Sequence, residues 1–214
     1  MSDIASIKRQ LGERGYLRHM APPLNEEQLA GIEARYDVAL PDEYRAFLKE
    51  IGNGGPGPYY GLLPFEKALD YDSRLWGKEA PASHLATPFP HTTSFNPVSD
   101  HERAGERVDN GEISEEEFAR IVHSSTHGTL GLAHQGCAYY DILVITGPAR
   151  GTVWVDGSDS GQGFHPLGIG FLEWYQAWLD GKVETMWKPA DFAGPQKSKR
   201  FGLFSLLKRT KGKK

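Results

Sequence analysis

The stretch LPDEYRAFLKEIGNGGPGPYYGLLPFE, residues 40–66, predicts an amphipathic helix, the end of that helix and a turn-rich connector. Pro41 suits the first turn of a helix, because its missing N–H would have no helical partner there. Asp42 and Glu43 follow where the positive end of the helix dipole favours acids. One helical face then collects the apolar residues Tyr44, Phe47, Leu48 and Ile51. The run GNGG at residues 52–55 adopts positive φ readily, so we expect the helix to end there.

Further helices are predicted on the N-terminal side of this stretch. Asn25 is a good N-cap, and Gln28 stands three residues later, as in a capping box. The helix that begins there runs to about Tyr36, and we expect it to pair with the helix of residues 40–66. A short helix around Ile4 to Leu11 lies within an N-terminal extension, residues 1–21.

The middle of the chain predicts less regular structure. Prolines at positions 81, 88 and 90 exclude long elements between residues 70 and 96. Residues 98–112 are strongly charged and are predicted to be an exposed insertion. Ser114 and Glu117 form a second capping-box pattern, which predicts a short helix through Val122.

From Gly128 onward the pattern changes to that of strands. Residues 139–146 and 152–155 are rich in β-branched and aromatic residues, and the turn GPARG separates them, which predicts a hairpin. The run ILVI, residues 142–145, is apolar at every position, so this strand should be covered on both faces. Residues 171–179 predict a closing amphipathic helix, which ends at Gly181.

The pattern LP-x-x-Y-x-x-FL, followed by NGG and then GLLP, resembles the SUKH superfamily. This superfamily includes cell-wall-assembly regulator-like proteins and bacterial immunity proteins of polymorphic toxin systems. The resemblance extends to HQGCAYYDILVITG and FLEWYQAWL and so covers about residues 20–185. It implies a binding protein of α+β fold that commonly neutralises a toxin, with no catalytic residues to transfer. The matched positions are also explained as scaffold: Leu40, Pro41, Tyr44, Phe47, Leu48, Asn53, Gly54 and Gly55.

The predicted fold is α+β, with a mainly antiparallel sheet of about five or six strands, an N-terminal helix pair and a C-terminal helix packed on the sheet. We expect a single domain over residues 1–195, which includes the N-terminal extension and the charged insertion. Residues 196–214 form a basic tail.

The charge of the chain is divided unevenly. Residues 196–214 carry eight Lys or Arg and no acid, so the remaining 16 basic residues face 28 acidic ones, a net charge near −12. Such a body is either an ordinary soluble surface or a surface that steers a basic partner. We expect a protein partner and no nucleic acid.

The tail allows two interpretations. It is either a solubilising extension or a short amphipathic segment that lies on anionic lipid. The second interpretation places these residues at the membrane: Lys199, Arg200, Phe201, Phe204, Lys208 and Arg209.

Patterns of catalytic or metal-binding residues are weak. His134 and Cys137 lie close in HQGC, but no base is placed to activate the thiol, and a lone cysteine beside an apolar strand is usually buried. His123 and His127 have i, i+4 spacing without the glutamate of a zincin. Residues 156–163 lack the ligand spacing of a calcium loop. We therefore predict no enzyme, no cofactor and no metal site.

Two tyrosines on a Gly/Pro-rich connector are the most distinctive candidates for contact with a partner, because tyrosine is favoured at interfaces. Packing in the core is the alternative for both. The complete set of candidate partner-binding residues is Tyr59, Tyr60, Asp100, Glu102, Glu106, Asp156 and Asp159.

The sequence thus favours a non-enzymatic immunity protein that occludes the active site of a toxin. The alternative is a regulatory scaffold that binds a cellular client, at the membrane through the basic tail. A hydrolase that uses His134 or Cys137 is disfavoured. We expect a cytoplasmic protein, because there is one cysteine, no apolar leader and no run of 18 apolar residues.

Overall fold

The computed structural model of the chain describes residues 3–69, 71 and 83–186. These residues form an α+β fold of eight α-helices and one four-stranded sheet. The helices are α1 Ile4–Glu13, α2 Glu26–Tyr36, α3 Asp42–Glu50, α4 Phe65–Leu69, α5 Ser83–Ala86, α6 Val98–Asp109, α7 Glu115–Ser124 and α8 Phe171–Leu179. The strands are β1 Thr129–Gly136, β2 Tyr139–Val144, β3 Thr152–Gly157 and β4 Gly163–Gly170. Among the described residues, no helix is both long and apolar enough to cross a membrane.

The sheet is antiparallel throughout, in the order β1-β2-β3-β4. Five or six strands were expected, and the described residues form four. Leu62 forms only an isolated bridge with Gly55, and Phe95 forms one with Phe164. The connector also donates from Leu63 N to the Leu132 carbonyl, at 2.8 Å, so it covers the outer edge of β1 without forming a strand.

Helix α3 confirms the prediction for residues 40–66. Its buried residues are Tyr44, Phe47 and Leu48. The chain then turns sharply at Gly54 and Gly55, with φ of 93° and 131°. A Cβ on Gly54 would lie 2.6 Å from the Pro64 backbone nitrogen, so this close approach requires glycine.

The predicted caps of α2 and α7 are present. Asn25 and Gln28 exchange two hydrogen bonds, each of 2.9 Å, between side chain and backbone, which completes the capping box. The Ser114 hydroxyl accepts from Glu117 N at 3.1 Å.

Both faces of β2 are buried, as the run ILVI predicts. Leu143 and Ile145 belong to the main core with the helices α1, α3 and α8. Ile142 and Val144 belong to a smaller cluster on the other face, together with Phe89. Phe47 on α3 fixes the closing helix by edge-on contact with Phe171 and Tyr175, at centroid distances of 5.2 and 4.7 Å.

Helix α6 was not predicted, because its residues were interpreted as an exposed charged insertion. It packs on α7 around a third small cluster, formed by Ala104, Ile113, Phe118 and Val122. Residues 98–124 therefore form a helical pair, here called the acidic hairpin, with eight acidic and three basic residues. The extent of the domain and the separateness of the tail stay predictions, because residues 196–214 lie outside the described residues.

Helix α8 receives its N-terminal cap from another helix. Gly170 stands at the N-cap without a side chain, and Glu43 Oε2 on α3 accepts from Leu172 N at 3.0 Å. A Cβ on Gly170 would lie 2.8 Å from that oxygen. The glycine thus admits a carboxylate that satisfies a terminal N–H of α8 and complements its dipole.

We predict that Glu43→Ala lowers the free energy of unfolding by about 1 kcal/mol, because α8 loses its cap. Glu43→Gln keeps an acceptor oxygen and should lose less. Urea unfolding measures both effects, and Glu50→Ala, at an exposed position C-terminal on α3, is the matched control. Equal losses in Glu43→Ala and Glu50→Ala would contradict the capping role.

One buried histidine lies against the start of β1, and a second lies against the end of α7. His84 Nε2 lies 3.1 Å from the Thr129 carbonyl, and His101 Nε2 lies 2.9 Å from the Ser125 hydroxyl. Burial lowers the pKa of each imidazole to about 4, and neighbouring His127 adds to the shift at His84. Both histidines are therefore neutral in the folded protein near pH 7.

These histidines predict a loss of stability in acid. Their folded pKa of about 4 lies below the ordinary value of 6.5, so the unfolded chain binds more protons between these values. The stabilisation is complete above pH 6.5 and falls as pH drops towards 4, by up to about 3 kcal/mol per histidine. Urea unfolding at pH 7 and pH 5 should show a smaller decrease for His101→Gln than for the wild type. The exposed His19→Gln is the control, and an unchanged decrease in His101→Gln would refute the prediction.

Candidate functional site

The two tyrosines of the connector differ in exposure. Among the described residues, Tyr60 is an exposed large hydrophobic residue, with 78% of its surface accessible to solvent. Tyr59 is half-buried against the main core and takes a φ of 53°, in the left-handed region. Of the two interpretations for these tyrosines, core packing holds for Tyr59 and surface exposure for Tyr60.

The Tyr60 ring extends a row of aromatic side chains on β1 and β2. Its centroid lies 5.4 Å from that of His134, and the His134 ring is stacked on Tyr140 at 4.6 Å. Tyr60 N also approaches the His134 carbonyl, at 3.4 Å. We call Tyr60, His134 and Tyr140 the aromatic end of the sheet.

The turn between β1 and β2 lies at the same end and has a strained backbone. Cys137 and Ala138 take φ of 48° and 66°, where glycine or asparagine is usual. With Tyr59, they make three of the four described non-glycine residues with positive φ. The turn is held by the Ser160 hydroxyl, which donates to the Cys137 carbonyl at 2.8 Å. Strain of this kind is concentrated at functional sites.

The lone cysteine differs from its expected state. Cys137 is exposed in the turn, whereas the sequence predicted a small buried residue. The reason is that β1 ends at Gly136, one residue before the cysteine, so the apolar strand that follows does not include it.

The aspartates near the turn also have different environments. Asp156 is the last residue but one of β3 and is buried. Its Oδ1 accepts from Ser158 N at 2.9 Å and from the Ser158 hydroxyl at 2.6 Å. This carboxylate orders the loop that follows β3. Asp159 is half-buried in the following 3-10 turn, beside the Ser160 contact to Cys137.

The candidate acids on α6 approach this end through the start of the helix. Asn96 Nδ2 donates to the Gly161 carbonyl at 2.9 Å, which places the first turn of α6 beside the loop of residues 158–161. Asp100 in that turn is exposed and pairs with Arg103. Glu102 is half-buried and Glu106 is exposed further along the helix. A chain of contacts thus connects Tyr60, the turn, the loop and the acidic hairpin.

A buried carboxyl group lies behind the aromatic end. Asp141 on β2 is 1% exposed, and it accepts from Trp174 Nε1 at 2.8 Å and from Gln135 Nε2 at 2.6 Å. Burial raises the pKa of Asp141 to about 7, although both hydrogen bonds oppose the shift. Sequence reasoning missed this group. A single acid within the otherwise apolar and aromatic run YYDILVI was the signal that could have revealed it.

The histidines do not converge on a metal site in the described part of the chain. His123 is buried on α7, while His127 lies against His84, with ring centroids 5.9 Å apart. Residues 3–69, 71 and 83–186 contain no group of three or more potential ligands around one point. The candidate membrane residues of the tail, from Lys199 to Arg209, lie outside the described residues.

Comparison with known proteins shows the family of this chain. A family model described as SMI1 / KNR4 family (SUKH-1) matches residues 23–155, more than half of the chain. No curated protein and no solved structure matches the chain. The matched region runs from just before α2 into β3 and includes α3, the Tyr60 connector and the strained turn. The chain therefore belongs to the SMI1/KNR4 family (SUKH-1), which supports a protein-binding role of the immunity or regulatory kind.

Proposed function

We propose that the chain is a non-enzymatic immunity protein that neutralises a toxin by covering the active site of the toxin. Its contact surface is the aromatic end of the sheet, together with the neighbouring acidic hairpin. The exposure of Tyr60 is the observation that carries the proposal. The protein acts in the cytoplasm and needs no cofactor or metal.

The position of Tyr60 favours a role as an anchor in the interface. Its ring is pre-ordered by contact with His134, which is itself stacked on Tyr140. Tyrosine brings a large amphipathic contact area and loses little conformational entropy, since it has only two side-chain torsions. A ring already held in place loses still less on binding, so burial of Tyr60 under a partner would be favourable.

The charge of the acidic hairpin favours a basic partner. Its exposed acids include Glu106, Asp109, Glu115 and Glu116. Only part of its charge is balanced locally, through the pairs of Arg103 with Asp100 and Arg107 with Glu112. A surface with this excess of negative charge accelerates association with a basic protein, and salt weakens the effect.

The alternative is a regulatory scaffold for a cellular client, and the basic tail is the feature that favours it. Affinity capture from the native lysate, with the full chain and with a chain truncated after Pro195, separates the two. A toxin that both versions bind, and whose activity is lost at equimolar protein, supports immunity. Membrane-associated clients that are lost with the tail support the scaffold. Turnover that Cys137→Ala or His134→Ala abolishes would contradict a non-enzymatic role.

We predict that Tyr60→Ala weakens binding of the captured toxin by at least tenfold, because the interface loses its aromatic anchor. Tyr60→Phe keeps the ring and should retain most of the affinity. Calorimetry measures the dissociation constants, and thermal unfolding verifies that the exposed substitution leaves the fold intact. Equal affinities of Tyr60→Ala and the wild type would refute the proposed surface.

We also predict that Glu102→Gln combined with Glu106→Gln slows association with the toxin and makes its salt dependence shallower. Glu27→Gln with Glu50→Gln removes the same charge from α2 and α3 and is the matched control. Stopped-flow association at several salt concentrations measures the effect. If both double variants changed the salt dependence equally, net charge would explain it and the acidic hairpin would have no special role.

A further inference from the structure

We infer that Asp141 is a positioning residue for the aromatic end of the sheet: it holds a β-bulge of β1 from behind, so the shape of that surface follows the ionisation of this carboxyl group. The functional consequence rests on the proposed function, whereas the structural coupling does not.

The bulge lies at Gln135. The residue pairs across β1 and β2 are Ala133 with Asp141, His134 with Tyr140, and Gly136 with Tyr139. Gln135 is therefore an extra residue in β1 without a partner opposite. Bulges of this kind redirect side chains and are frequent beside functional sites. Here the extra residue directs its amide to the Asp141 carboxyl group.

Asp141 connects this bulge to a rigid helix. One carboxyl oxygen accepts from Trp174, which is fully buried on α8, and the other accepts from Gln135. Both partners are donors, so the ionised carboxylate satisfies both with charge-assisted bonds. A proton on the carboxyl group weakens this acceptor pair. The bulge is consequently held more firmly in the ionised state.

The bulge in turn supports Tyr60. His134, on one side of Gln135, contacts the Tyr60 ring and its backbone N–H. Gly136, on the other side, is so close that an added Cβ would lie 3.3 Å from the Tyr60 hydroxyl. A shift of Gln135 therefore moves both supports of the exposed tyrosine.

Charged neighbours do not account for the raised pKa of Asp141. His134 and Asp156 alternate onto the opposite face of the sheet, since Tyr140 pairs with both of them. Glu173 on α8 is exposed, and Glu66 on α4 is exposed and accepts from Asn53. The buried Tyr175 donates to the Pro56 carbonyl.

The direction of the pH effect follows from burial. With a pKa of about 7, Asp141 is mostly protonated at pH 6 and mostly ionised at pH 8. The hold on Gln135 thus strengthens as pH rises through 7.

NMR of the full chain tests the coupling between pH 5.5 and 8.5. The Trp174 indole N–H, the Gly136 amide and the Tyr60 ring signals should shift together, with a midpoint near 7. Asp141→Asn should abolish this step. Asp156→Asn, at the other buried aspartate of this end, is the matched control and should keep the step. Persistence of the step in Asp141→Asn would overturn the inference.

A second variant distinguishes coupling from a local effect. Gln135→Met removes the donor and leaves Asp141 in place, so the Trp174 signal should still titrate, with a raised midpoint, while Tyr60 and Gly136 lose the step. If Tyr60 and Gly136 still shifted with Trp174, the route through Gln135 would be wrong. This variant also serves if Asp141→Asn does not fold.

Binding distinguishes this inference from the proposed function. Affinity for the captured toxin should rise from pH 6 to pH 8 in the wild type, and Asp141→Asn should abolish the rise. A coupled NMR step without any effect of Tyr60→Ala on binding would refute the proposed surface but retain the coupling. An effect of Tyr60→Ala on binding without a coupled NMR step would retain the proposed surface but refute the coupling.

Discussion

Burial of β2 on both of its faces is the constraint on which the rest of the structure depends. Leu143 packs under the helices, and Ile142 packs in the cluster on the other side, so the second half of the strand is buried on both faces. Asp141 precedes them on the same strand and is buried with them. Since a buried carboxyl group is costly unless it is hydrogen-bonded, the fold provides a donor from α8 and another from the bulge at Gln135. Core packing thereby determines how β1 ends.

The surface at this end combines order with strain. Tyr60 is exposed but is held against His134, and the adjoining turn keeps Cys137 and Ala138 at positive φ. The fold maintains this arrangement through contacts from the neighbouring loop, such as that of Ser160 with the turn. An ordered exposed ring and a negatively charged helical pair together suit the basic partner proposed above, because a ring that is already held in place loses little entropy on binding.

Elements with strong local signals were predicted well from the sequence. Helix α3 has a regular apolar face, α2 has a complete capping box, and β2 and β3 have β-branched runs on either side of a turn. Helix α6 was missed because its charge concealed the few apolar residues that meet α7. The number of strands was overestimated because Leu62 and Phe95 make single bridges, and the difference between a bridge and a strand depends on the path of the whole chain.

The sequence by itself determined the family, the α+β class, the main helices and the excess of acidic residues, because these depend on local pattern and composition. Only the tertiary structure decided that Tyr60 is exposed while Tyr59 packs on the core, and that Asp156 orders a loop. Only the tertiary structure brought Trp174 and Gln135 to Asp141. The physical reason is that exposure and pKa depend on residues distant in sequence, which neither periodicity nor spacing records.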